Sequence, residues 1–263
     1  MLKNRLIFAL LMKNGSYQLS RNFNLQDVGD INWIKSHYYF KAISFSIDEL
    51  VVLNVERGEK NVDFFCKNLQ KLNENCFMPL SAGGGIRNLD DAYKILNSGA
   101  DKIIINTPLI HQKDLVNELV ETFGSQCIIA SVDYKKNEEG DIEIFIENGK
   151  MKTNQTLEDA VENIHDLSCG EIYLTSIEQD GTGYGYDTDT LKYVVENSKI
   201  PVIASGGAGK YEHFVEGIKK AGASAVSTAN LFNFIANGFI EVRKTMINKK
   251  INMAKWDLDI QTS

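Results

Sequence analysis

The segment PLSAGGG at residues 79–85 recurs as PVIASGG at residues 201–207, 122 residues further along the chain. The same offset lays DELVVLN (48–54) on GEIYLTS (170–176) and FALLMK (8–13) on ASVDYK (130–135), while SGAD and KAGAS match with one extra residue. Three segments sharing one spacing point to an internal duplication, because self-similarity at a fixed offset marks repeated structural units. Around these anchors, short apolar runs rich in β-branched residues follow one another: LIFALL, ELVVLNV, FMPLSA, KIIIN, CIIASVD, EIYLTS, IPVIAS and ASAVST. Segments such as NVDFFCKNLQKLNEN, NLDDAYKILNSG, KDLVNELVETFG and YEHFVEGIKKAG separate them, with apolar residues every three or four positions, the period of an amphipathic helix. Strand then helix, repeated, implies a parallel sheet. The 263 residues match the roughly 250 that a closed barrel of eight such units needs. The expected fold is α/β: one (β/α)8 TIM barrel over residues 1–263, built from two similar half-barrels. The polar stretch KKNEEGDIEIFIENGK (135–150) is expected to form a small hairpin in the loop after the fifth strand.

Composition narrows the function. A net charge of −7 without a basic block argues against nucleic acid or an anionic membrane as the main partner. No apolar run approaches the roughly 18 residues of a membrane span. The N-terminal MLKNRLIFALLMKNG lacks a small-residue cleavage site and is interrupted by Lys13, so it is taken as a first strand and not a signal peptide. Cys66, Cys76, Cys127 and Cys169 are widely spaced, with no CxxC pair and no histidine at metal-ligand spacing, which suits reduced thiols in the cytoplasm and gives no sign of a metal or cofactor.

In such a barrel chemistry sits where strands end and loops begin. Gly83, Gly84 and Gly85 follow the third strand, and Ser205, Gly206 and Gly207 follow the seventh. Asn106 with Thr107, and Ala229 with Asn230, close the fourth and eighth strands beside them. Backbone N–H groups unobstructed by Cβ atoms can cradle phosphate, so the pair of clusters suggests a small molecule with two anionic ends. Asp133 ends the fifth strand and is a candidate general acid or base, with Asp180, followed by Gly181 in the loop IEQDGTGYGYD, as a second. The repeat mate of Asp133 is Leu11, which cannot transfer a proton. At the opposite face, Arg5, Glu49, Lys102 and Glu171 each stand just before an apolar strand, so two cations and two anions could ring the axis.

RLIFALLMKNG, DELVVLN, PLSAGGGIRNLDDAYKILNSGADKIIIN, FGSQCIIASVD, GEIYLTSIEQDGTGYGYD and PVIASGGAGKYEHF together resemble the cyclase subunit of imidazole glycerol phosphate synthase, nearly end to end. That resemblance implies a barrel which docks a glutaminase on its bottom face, forming a heterodimer. It also implies ammonia conducted along the axis and used to cleave and cyclise a bisphosphorylated ribonucleotide. It implies that Arg5, Glu49, Lys102 and Glu171 form the ammonia gate and that Asp101 lies at the glutaminase interface. The family's first strand ends in an acidic catalytic residue where this chain has Leu11; its first loop carries a lysine where this chain has Leu19, and Asn54 replaces an aspartate. A barrel that keeps the gate and the anion pockets but lacks one of the acid/base pair resembles the diverged paralogues of bacterial sugar-amidation pathways. These supply ammonia for acetamidino groups through a separate amidotransferase. The alternative is an authentic cyclase of histidine biosynthesis.

Overall fold

The computed structural model describes residues 3–38, 43, 45–74, 76, 78–235 and 237–254. Eight parallel strands close on themselves: β1 (Arg5–Lys13), β4 (Glu49–Asn54), β5 (Leu80–Gly83), β6 (Lys102–Ile105), β7 (Ile128–Lys136), β10 (Glu171–Ser176), β11 (Val202–Ser205) and β12 (Ala225–Thr228). Each pairs with the next in that order, and β12 returns to β1 with Arg5 opposite Ala225. All eight strands inferred from the apolar runs are present. The final residues, 255–263, lie outside the described residues.

The duplication is visible in the hydrogen-bond register. Leu11 stands opposite Leu53 on β4, and Asp133 stands opposite Thr175 on β10, so both members of each pair are displaced by the same 122 residues. The two halves also share an embellishment. β1 runs on into an antiparallel hairpin with β2 (Ser16–Arg21) and β3 (Asn24–Gly29), and β7 does the same with β8 (Ile142–Ile146) and β9 (Met151–Lys152). The second hairpin is the expected one; the first falls where a plain loop was expected.

Around the strands lie α1 (Ile31–His37), α2 (Val62–Asn73), α3 (Leu89–Asn97), the single turn α4 (Pro108–His111), α5 (Lys113–Phe123), α6 (Leu157–Asp166), α7 (Thr188–Asn197), α8 (Tyr211–Lys219) and α9 (Gly238–Asn248). Their sequences explain where they start. Asn61 caps α2 by accepting from the Phe64 N–H at 2.9 Å, and Thr156 with Asp159 forms a reciprocal capping box on α6. Val62, Phe65, Cys66, Leu69 and Leu72 make one buried stripe of α2 at helical spacing. Alternation along each strand sends one set of side chains to this outer layer and the other into the barrel. Among the described residues no helix is long and apolar enough to cross a membrane.

Candidate functional site: a charged ring below and a covered cavity above

The strand starts bring Arg5, Glu49, Lys102 and Glu171 into one closed ring of alternating charge. Arg5 NH1 lies 2.7 Å from Glu49 Oε2, Arg5 also pairs with Glu171, and Lys102 Nζ lies 2.5 Å from Glu171 Oε1 and 3.8 Å from Glu49 Oε2. Ser81 donates its hydroxyl to Glu49. Burial alone would raise the Glu171 carboxyl, but the two facing cations outweigh it and hold the group below the usual carboxylate range. Asp101, beside Lys102, is exposed at the same face and accepts the Leu80 N–H at 2.8 Å.

Above the ring the interior is filled. Ile7, Ala9, Val51, Ile104, Ile129, Tyr173, Ile203 and Ala225 form one cluster, none more than 3% exposed. Tyr173 brings the one polar group into this layer, its hydroxyl 2.9 Å from Ser227 Oγ and accepting from Ser205 Oγ at 3.1 Å.

At the other end of the strands a cavity of about 430 Å³ opens, floored by Leu11, Leu53, Ile104 and Tyr173. Asp133, Asp180, Gly84, Gly85, Asn106, Thr107, Ser205 and Ala229 all line it, so most of the residues expected at the mouth do meet there. Gly206, Gly207, Gly181 and Asn230 are not among its lining residues. Both glycine clusters pack on the carbonyl that ends the neighbouring strand: a Cβ on Gly84 would stand 2.3 Å from the carbonyl oxygen of Asn54. A Cβ on Gly207 would stand 2.0 Å from the Gly185 carbonyl oxygen, and one on Gly206 2.6 Å from that of Ser176. These glycines admit a neighbouring backbone. Gly181 likewise lies under the first hairpin, where a Cβ would meet the Ser20 carbonyl oxygen at 2.0 Å.

Asp133 is buried in β7 where its pairing with β8 begins, with Asn106 Nδ2 at 3.4 Å from its carboxylate. Burial, reinforced by the nearby Asp180 charge, pushes its carboxyl up to about 7, the range in which an acid can both give and take a proton at neutral pH. Asp180, which lines the same cavity, also contacts the first hairpin. Its carboxylate accepts from the Ser20 hydroxyl and, at 3.1 Å, from the Phe23 N–H, while its carbonyl accepts the Asn22 N–H at 2.9 Å. The aspartate thus fastens the first hairpin across the mouth. Asn22 Nδ2 adds bonds to the carbonyls of Ile177 and Glu178, and Arg57 NH2 donates to the Phe23 carbonyl. The Phe23 ring packs on Gly149 in the turn of the second hairpin, so the tips of the two hairpins touch and roof the cavity. Leu19, on β2 of the first hairpin, is partly buried and packs against the main hydrophobic core.

Several lining residues have no counterpart in the sequence reading: Lys60, Arg57 and Arg87 from the second and third loops, and Glu147, Asn148 and Lys150 from the second hairpin. Lys60 Nζ donates to the Asn54 carbonyl at 2.7 Å, and its stem lies against Gly85. Burial, with Arg87 nearby, lowers its ammonium to about 8, against the opposing pull of Glu56 and Asp133. Cys66, Cys76, Cys127 and Cys169 are free thiols.

A barrel with a charged ring at one end and a roofed cavity holding buried titratable groups at the other defines the class, and the histidine biosynthesis protein profile matches residues 5–235. Three relatives narrow it. A protein of Parasynechococcus marenigrum (strain WH8102), provisionally named imidazole glycerol phosphate synthase subunit hisF2, is 36% identical over 264 aligned positions, covering 100% of this chain and 98% of its own. The imidazole glycerol phosphate synthase subunits HisF of Streptococcus sanguinis (strain SK36) and Streptococcus mutans serotype c are 35% and 36% identical, each over 94% of this chain and over 96% and 97% of theirs. The chain belongs to the HisF-type imidazole glycerol phosphate synthase cyclase family.

Proposed function

We propose that this chain is the barrel subunit of a glutaminase-coupled complex. A glutaminase docks on the face that carries Asp101 and the charged ring, and ammonia enters the barrel there. A phosphorylated small molecule occupies the cavity at the far end, and the nitrogen is passed on, through a separate amidotransferase, to an amidine group of a bacterial surface sugar. The observation that carries this reading is the closed ring of Arg5, Glu49, Lys102 and Glu171 beneath a cavity whose floor holds Leu11 where a second acid/base would stand. A pocket built only to bind a phosphorylated ligand has no need of such a ring. Passage from ring to cavity requires the Ile104 and Tyr173 layer to move, because those side chains fill the axis.

The second reading, a working cyclase of histidine biosynthesis, is favoured by Asp133, whose carboxyl sits near 7 in the same cavity. The two separate in one experiment: the bisphosphorylated ribonucleotide and an ammonium salt are supplied to the purified protein and to Leu11→Asp. Losing one general acid or base typically costs about 100- to 10,000-fold. The preferred reading expects negligible turnover by the natural chain and a gain in the variant. Turnover of order 1 per second by the natural chain establishes the cyclase instead.

A further inference from the structure

Lys60 differs from three other partly buried lysines of the chain. Lys102 pairs with Glu171, Lys136 with Asp187 and Lys94 with Asp63 and Asp90. Among the described residues Lys60 forms no ion pair; its amine is held by one backbone carbonyl, that of Asn54. That carbonyl ends β4, and in the register Asn54 stands opposite Met12, one residue beyond Leu11. The amine therefore reaches the part of the mouth whose floor Leu11 and Leu53 make apolar. Its stem covers Gly85, where a Cβ would stand 3.0 Å from Lys60 Cβ, so Lys60 lies against the glycine cluster that follows the third strand. Asp133 lines the same cavity and interacts electrostatically with the amine.

We propose that Lys60 is a nucleophilic amine that condenses reversibly with the carbonyl carbon of a small phosphorylated aldehyde or ketone held in this cavity. The inference rests on the reading that the cavity takes a phosphorylated ligand. With the phosphate at Gly84 and Gly85, the neutral amine adds to the carbonyl carbon. A C–N bond forms as the C=O π electrons move to oxygen, and a proton passes from nitrogen to that oxygen to give a carbinolamine. Protonated Asp133 then donates to the hydroxyl, water leaves, and the nitrogen lone pair forms the C=N bond. The products are a protonated imine, water and the Asp133 carboxylate, and hydrolysis retraces the path. Atoms and charge balance without a co-reactant. The protonation states suit the step: with its ammonium near 8, about one Lys60 in ten carries a free amine at pH 7, against roughly one in 2,500 for an ordinary exposed lysine. Glu56, Arg87 and Asp133 are the charged groups that set this balance, and desolvation is the largest influence.

The test is reductive trapping. The whole purified chain is incubated at pH 7 with glyceraldehyde 3-phosphate and sodium cyanoborohydride, then analysed by intact mass and peptide mapping. One adduct per chain is expected, on Lys60, forming on the order of 100-fold faster than on any other lysine. Lys60→Arg, which keeps the positive charge, is expected to lose it, and excess inorganic phosphate to slow it at least tenfold. Asp133→Asn is expected to slow trapping at least tenfold as well. Adducts scattered over exposed lysines, or undiminished labelling in Lys60→Arg, overturn the proposal, as does the absence of any adduct. Calorimetric titration with glycerol 3-phosphate, which lacks a carbonyl, runs in parallel. Binding without trapping leaves the ligand reading standing and removes only the imine; neither binding nor trapping removes both.

Discussion

Replacing Asp133 by asparagine probes the electrostatics of the mouth without any ligand. The residue is buried, and its carboxyl is pushed from 3.8 to about 7 by burial and by Asp180. Its folded pKa thus lies above its unfolded value, so between those two pH values the native state holds a proton that the unfolded chain has lost. Stability contributed by the neutral form is complete below about 4 and is eroded as pH rises, until the carboxyl ionises in both states above 7. Each unit corresponds to about 1.4 kcal/mol, so roughly three units set an upper bound of about 4 kcal/mol on the cost of the charge at pH 8. Asparagine is nearly isosteric, retains an oxygen for Asn106 and carries no charge. The difference in unfolding free energy between Asp133→Asn and the natural chain, from urea titrations at pH 4 and pH 8, is therefore expected to move by about 2–4 kcal/mol in favour of the variant. At 2–4 °C per kcal/mol for a chain of this size, its relative melting temperature rises by roughly 4–16 °C over that range. The same difference at both pH values refutes the assignment, because it means that Asp133 is ionised in the folded protein as readily as in the unfolded one.

Three further perturbations follow from the geometry. Glu171→Gln leaves Arg5 and Lys102 facing Glu49 alone, and is expected to cost roughly 3–5 kcal/mol at pH 7. Because the folded Glu171 pKa is depressed, that loss should shrink as pH falls through it, which acid-range urea titrations measure. Ser20→Ala removes a hydroxyl bond to the Asp180 carboxylate; hydrogen exchange over residues 16–29 should quicken with global stability reduced by no more than about 3 kcal/mol. Gly207→Ala forces a Cβ toward the Gly185 carbonyl at a φ of +106°, so a loss of about 2 kcal/mol or more and faster exchange in residues 180–187 are expected by the same two methods.

The barrel was legible because its signals are local and repeated. Each apolar run is bounded by polar loops, and the 122-residue offset reappears in the strand register as Leu11 facing Leu53 and Asp133 facing Thr175. The charged ring was legible for the same reason, since residues at strand starts must share one end of a barrel. The first hairpin was missed because Tyr17 and Leu19 are too short an alternation to separate from a loop; its partners, Asp180 and Gly181, lie 160 residues away. The glycines after the third and seventh strands share a packing role that no local pattern encodes: a Cβ on Gly84 or Gly206 would meet the carbonyl oxygen of Asn54 or Ser176, contacts that arise only once the neighbouring strand is in place. Lys60 sits in the polar stretch ERGEKN, the composition of a solvated turn; it is buried by contacts with Gly85 and Asn54 that arise when two adjacent loops fold together.

A glutaminase docked on the charged ring, as proposed, is expected to copurify with the chain. Tagged chain is purified from its native cells and the eluate assayed for glutamine hydrolysis and for the ratio of subunits, in parallel with Lys102→Ala. One glutaminase per barrel is expected, with glutamine hydrolysis and ammonia delivery uncoupled in the variant while the complex and the fold persist. A barrel that elutes without glutaminase activity, or a complex whose coupling is indifferent to Lys102→Ala, contradicts it.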